Sequence, residues 1–235
     1  IINNTIYAVS KDELKPDLQG VLFQIEKNEI CTVATDGHRL VRFKVSNIRS
    51  SEFSGKVIIP YKFLDIIQNE LNEKVNTTFI LGENHVLVEL GDTVCYSRLI
   101  KAKYPDYESV IPKDNDKKLI INKEEFLSSV KRVSIFSNKS TKLIIINTQK
   151  NKLIVSAEDP ENITSGKESI SCEYDDEKIT IGYNSQYLME VLKHQYTDEV
   201  ELLLKSNITA GIFLPLKQKE NENITTLLMP LRLND

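Results

Sequence analysis

Asp36 and His38 stand two residues apart in the segment Thr35-Asp36-Gly37-His38-Arg39-Leu40. A carboxylate beside an imidazole can orient and serve as a general base, so this pair could be half of a hydrolytic site. A nucleophile to complete it is missing. There is no Gly-x-Ser-x-Gly motif, and the other imidazoles are His85 and His194. Metal binding is no better served, because histidines and carboxylates do not fall at ligand spacing and Cys31, Cys95 and Cys172 form no Cys-x-x-Cys pair. The residues therefore predict no catalytic site, no metal and no cofactor. The second notable segment, Leu227-Leu228-Met229-Pro230-Leu231-Arg232-Leu233, is apolar almost throughout, and Pro230 keeps it out of a central strand. It reads as a short edge strand closing a domain.

The elements around the first segment predict a hairpin. Strand-like runs at 30–34 and 39–45 flank Asp36-Gly37, where glycine accepts a positive φ. Further strands are expected at 21–25, 77–81, 86–90, 93–99, 143–147, 152–156, 200–204 and 210–214, from alternation and β-branched content. Helix signals are fewer. Ser10-x-x-Glu13 and Asn122-x-x-Glu125 have the spacing of a capping box. The first helix would then run towards Gly20 with Pro16 either kinking it or near its first turn. Second helices are expected from Pro60 and from Asn184, with apolar stripes at 63, 64, 67 and 71 and at 187, 188, 191 and 192.

These elements repeat. Asn28 to Asp36 resembles Asn151 to Asp159, and Phe63-Leu64 with Ile67 recurs as Tyr187-Leu188 with Val191. The weaker match of Ser10–Leu14 to Asn122–Phe126 implies an insertion of about eleven residues in the second copy. The charged, apolar-free stretch Lys113 to Lys118 marks the junction, giving domains 1–115 and 116–235. Each is expected to be an α+β domain with two helices packed on mostly antiparallel sheet.

Composition excludes several classes. The net charge of −4 is shared evenly, with no basic tail, so any nucleic-acid contact must come from locally placed lysines. No apolar run approaches the roughly 20 residues of a membrane-spanning helix, no secretory segment opens the chain, and the odd, scattered cysteines read as buried free thiols of a cytoplasmic protein.

Three motifs in order, Thr35-Asp36-Gly37-His38-Arg39-Leu40, Tyr104-Pro105-Asp106-Tyr107 with Ile111-Pro112, and Leu228-Met229-Pro230-Leu231-Arg232-Leu233, closely resemble the bacterial DNA polymerase III β subunits, the replicative sliding clamps. The resemblance runs along the whole chain and covers the family's second and third domains. The family's first domain is expected to be absent, in keeping with a chain that opens on Ile1. It implies repeated sliding-clamp domains, six of them closing as a homodimer ring around duplex DNA when the protein is full length, and a non-catalytic processivity role. A chain lacking the first domain is not expected to close that ring.

The resemblance also implies sites. A peptide pocket would use Leu18, Thr35, Gly37, His38, Arg39, Leu40, Pro105 and Val110 from one domain. The other would supply Asn184, Tyr187, Leu227, Leu228, Met229, Pro230, Leu231 and Arg232. Its occupants would be short linear peptides of the polymerase III catalytic subunit, the clamp loader and repair proteins. Ile135 and Phe136 would lie at the subunit interface, and Lys11, Lys15, Lys123 and Lys131 are candidates for facing DNA. The chain departs from the family in Ser109, where some members carry a basic residue, in Leu231, a frequent methionine, and in Asn234-Asp235 beyond the usual last leucine.

Overall fold

The computed structural model describes residues 1–48, 53–71 and 76–233, so Asn234 and Asp235 lie outside the described residues. The chain divides into two compact units: Ile1–Asp106 with Lys219–Ile224, and Tyr107–Gln218 with Thr225 onward. Among the described residues every named strand pair is antiparallel and four α-helices accompany the sheets, an α+β architecture.

The first unit opens with a short helix α1 (Ile2–Thr5) that continues as a 3-10 turn, Ile6–Ala8. Strands β1 (Gly20–Glu26), β2 (Glu29–Thr35), β3 (Arg39–Ser46) and β4 (Gly55–Pro60) form a sheet in the order β4-β1-β2-β3. Helix α2 (Tyr61–Gln68) follows, and β5 (Thr77–Leu81), β6 (His85–Leu90) and β7 (Thr93–Arg98) form a three-stranded meander. Helix α2 buries Phe63, Leu64 and Ile67 of the predicted stripe against Val21, Phe23, Ala34, Val41 and Val86 in one hydrophobic cluster, and Leu71, its fourth member, packs partly buried beyond the helix end. The late segment Lys219–Ile224 belongs here because Ile224 enters that cluster and Asn221 accepts from the Ser46 N–H at 2.8 Å.

The second unit starts with β8 (Lys117–Asn122) and helix α3 (Lys123–Ser134). Then come β9 (Leu143–Gln149), β10 (Lys152–Asp159), β11 (Thr164–Ser171) and β12 (Thr180–Asn184), which pair in the order β11-β10-β9-β12. Helix α4 (Ser185–Lys193) packs on α3, and β13 (Glu199–Leu204), β14 (Gly211–Pro215) and β15 (Glu222–Leu228) follow. Strand β13 pairs with both β8 and β14, and β14 pairs with β15. The buried interior combines Phe126, Val130 and Val133 of α3 with Leu188, Val191 and Leu192 of α4 and the inward residues of the strands.

Two expectations fail together. The helix predicted from Ser10 does not form. The Ser10 hydroxyl accepts from the Asp12 N–H at 3.2 Å, Asp12 in turn accepts from the Leu14 N–H at 3.0 Å, and Pro16 opens a separate 3-10 turn, Pro16–Leu18. Local side-chain-to-backbone bonds compete with helix here, and an interior proline removes the alternative. The helix of this copy lies upstream, at Ile2–Ala8. Ile2, Ile6 and Val9 then correspond to Phe126, Val130 and Val133, each 124 residues on, within one residue of the spacing of the other matches, and the eleven-residue insertion disappears. Four strands, β4, β8, β11 and β12, carry no strong alternation and escaped the sequence reading.

Candidate functional site

The turn between β2 and β3 is built around Asp36. One carboxylate oxygen accepts from the backbone N–H groups of His38 and Arg39 at 2.8 and 3.0 Å, and the other meets Arg39 Nε at 3.2 Å. Gly37 takes the required positive φ of 91°. The Thr35 hydroxyl donates to the Arg39 carbonyl at 2.7 Å and accepts from the Gly37 N–H at 3.1 Å. Thus the carboxylate that could have oriented an imidazole holds backbone and guanidinium instead. This is an Asx-type turn locked from both sides.

Arg39 is only 6% exposed. Besides Asp36 it donates from Nη2 to the Tyr7 carbonyl at 2.7 Å, and its guanidinium lies 5.3 Å from the Tyr7 ring centroid. A buried charge survives only when paired and hydrogen-bonded, and Asp36, a carbonyl and an aromatic face meet that demand. Tyr7 was not marked in the sequence, since nothing there links it to a residue 32 positions away. Leu40 at 2% and Leu18 at 8% exposure are buried, whereas His38 and Pro105 are exposed. The Tyr104 hydroxyl donates to the Val33 carbonyl at 3.3 Å, fixing the loop that carries Pro105 beside β2. Burial pushes the Tyr104 phenol well above its ordinary pKa, so it remains a donor.

The second unit places its candidates on the start of α4, the end of β15 and the tail. Asn184 caps α4, its side-chain oxygen accepting from the Gln186 and Tyr187 N–H groups at 3.0 and 3.3 Å. Leu227 and Leu228 close β15 and are buried, with Leu228 opposite Gly211 in β14. The strand predicted at 227–233 therefore runs earlier, over Glu222–Leu228, and stops where Pro230 cannot donate to a ladder. Beyond it Met229 is 42% exposed, Pro230 and Leu231 are half-buried and Arg232 is exposed. Leu231 returns to the fold through one bridge, its N–H donating to the Gly182 carbonyl at 2.8 Å. Val110 lies in a 3-10 turn, Glu108–Val110, with its side chain exposed; Ser109 is in the same turn.

Residues 1–106 match the description "DNA polymerase III beta subunit, central domain", and residues 108–232 match "DNA polymerase III beta subunit, C-terminal domain". The chain belongs to the DNA polymerase III β subunit family. Among curated relatives, the beta sliding clamp of Pseudomonas putida is 29% identical over 234 residues, and that of Rickettsia felis 30% over 246. Each alignment covers 99% of this chain, but only 63% and 64% of the relative. The chain thus spans under two thirds of the length of the clamps it matches. The crystal structure of the Pseudomonas aeruginosa sliding clamp with ligand has a TM-score of 0.92 at 27% identity, and covers 99% of this chain and 63% of that one. The Bartonella birtlesii clamp bound to griselimycin has a TM-score of 0.90 at 29% identity, with the same coverage.

The remaining family positions are dispersed. Ile135 caps α3 and is 78% exposed, and the half-exposed Phe136 ring lies against the backbone of Gly166 in β11. Lys11 and Lys15 are exposed but occupy the turn segment that replaced the expected helix, with the Lys15 ammonium close to Gly37. Lys131 is exposed in the last turn of α3, while Lys123 is partly covered, donating to the Gln195 carbonyl at 3.3 Å and lying 3.5 Å from Glu124. Among the described residues no group of three or more His, Cys, Asp or Glu could hold a metal ion, and no helix is long and apolar enough to cross a membrane. The cysteines are free, as expected, but only Cys31 is fully buried.

Proposed function

We propose that this chain is part of a processivity factor of bacterial DNA replication, a cytoplasmic and non-catalytic subunit that in full-length form closes as a homodimer ring around duplex DNA. The observation that supports it most is the match of both units, in order, to consecutive domains of the β subunit family. In this reading the Thr35–Leu40 turn, Leu18, Pro105 and Val110, together with Asn184, Tyr187 and the segment Leu227–Arg232, receive short linear peptides of polymerase, clamp loader and repair proteins. The chemistry suits that role. Aliphatic side chains and a polarisable, half-exposed methionine make an adaptable surface for leucine and phenylalanine side chains. Ile135 and Phe136, large apolar groups left in solvent, fit a subunit interface. Lys11, Lys15, Lys123 and Lys131 would meet the phosphate backbone without reading sequence, so contact with DNA should weaken steeply with salt.

Calorimetric titration of a synthetic peptide carrying leucine and phenylalanine into this chain tests the reading. Saturable binding that is lost when both residues are replaced by alanine is expected. Absence of binding by the unsubstituted peptide defeats the pocket assignment.

A further inference from the structure

We propose that Gly182 is a positioning residue that seats the C-terminal tail, so that the tail acts as a clasp holding Met229 and Leu231 ready for a peptide. The inference rests on the peptide-binding reading above.

Strand β12 lies at one side of its four-stranded sheet, and among the described residues one bridge, Gly182–Leu231, joins the tail to its outer edge. A β-carbon at position 182 would stand 2.8 Å from Leu233 Cδ2, 2.8 Å from Leu143 Cδ1 and 3.1 Å from the Leu231 carbonyl oxygen, so both leucine side chains and the tail backbone would have to shift. Two of these three atoms belong to the tail itself. The tail therefore lies where a side chain at position 182 would be, a close approach that glycine in a strand commonly marks.

The next residue on β12 packs against the strand that holds the other end of the same segment. Tyr183 is fully buried, packs edge-on against Phe213 with centroids 6.2 Å apart, and its hydroxyl occupies the space above Gly211. Gly211 is the partner of Leu228 across β14 and β15. The two-residue crest Met229-Pro230 is thus held on both sides: by the ladder pairing of Leu228 with Gly211, and by the bridge from Leu231 to Gly182. A crest pinned at both ends presents its methionine in one place. A crest released at Leu231 is the end of a loose chain, and a binding surface populated only part of the time loses apparent affinity in proportion.

The test uses the full chain with two readouts, hydrogen exchange at the Leu231 amide and calorimetric affinity for the synthetic leucine- and phenylalanine-containing peptide. Gly182→Ala should abolish protection at Leu231 and weaken the peptide about tenfold, and adding Leu233→Ala, which clears one of the collisions, should recover part of both. Protection that persists in Gly182→Ala overturns the proposal, as does lost protection with unchanged affinity. If Gly182→Ala does not fold, Gly182→Ala with Leu143→Ala, which clears the collision inside the sheet and leaves the two with the tail, substitutes: lost Leu231 protection with weakened peptide supports the clasp, and wild-type affinity overturns it. A wild-type chain that binds no peptide defeats the peptide reading, and exchange alone then decides whether Gly182 seats the tail.

Discussion

The turn Thr35–Leu40 and the tail Met229–Leu233 are the two segments that stand out in the sequence, and they are held in opposite ways. The turn is over-determined. Asp36 accepts two backbone N–H groups and an ion pair, Thr35 closes it again from the side, and Arg39 is buried beneath with a carbonyl and a ring as further partners. The tail has one backbone bridge and the contacts of Leu231 and Leu233 around Gly182. The difference teaches that, of these two segments, the one held by charge is fixed many times over and the apolar one is held lightly. Paired polar groups fix the shape of a turn, whereas a thioether side chain adapts to whatever it packs against.

The comparison breaks first at Arg39. Arg39→Ala takes the guanidinium from Asp36 Oδ2 and from the Tyr7 carbonyl, and removing one partner of a buried pair should cost about 3 kcal/mol in urea unfolding. A loss below about 1 kcal/mol would mean that the turn is held by its backbone bonds alone. Leu40→Ala and Met229→Ala sharpen the contrast. Leu40 is in the core, and its truncation should destabilise by about 2–4 kcal/mol as well as weaken peptide. Met229 is 42% exposed, so its truncation should leave stability within about 0.5 kcal/mol and weaken the peptide by about tenfold. Equal stability losses in the two variants would erase the distinction.

A smaller effect concerns helix starts. Asn122 caps α3 by accepting from the Glu125 N–H at 3.0 Å, and Asn122→Ala should cost about 1 kcal/mol. Ser10→Ala, at the look-alike motif without a helix, should leave helical circular dichroism unchanged. The smallest expected change is in acid. Asp159 accepts from Asn162 and Asn138 side chains at 2.7 and 3.3 Å, and these bonds hold its pKa below the usual carboxylate value of 3.8. A depressed carboxylate contributes stability above its unfolded pKa and loses it as pH falls through the folded one. Asp159→Asn should therefore lower stability at neutral pH and flatten the acid limb below pH 3.8, as measured by thermal unfolding across pH. An unaltered acid limb would show that those hydrogen bonds do not distinguish folded from unfolded chain.

Much of this was legible in the sequence because it is local. The Asp36-Gly37 hairpin, the Asn122 and Asn184 caps and the helical stripes of α2 and α4 depend on neighbours within about four residues, where spacing is the physics. The look-alike cap at Ser10 failed for an equally local reason, Pro16, whose weight against a capping box the spacing alone did not reveal. The candidate site was reached through its motifs, but its supports were not. Tyr7 under Arg39 and Gly182 under Leu231 are 32 and 49 residues from the groups they hold, and neither has a pattern of its own.

By itself, then, the sequence determined most of the strands, the helices that follow Pro60, Asn122 and Asn184, and the two segments worth watching, since each follows from side-chain period and turn chemistry. The tertiary structure alone decided that Lys219–Ile224 returns to the first unit, that Arg39 is a buried structural cation and that the tail rests on a bare glycine. Burial, ion pairing and close backbone approach arise between residues distant in the chain, and they exist only once the chain has folded.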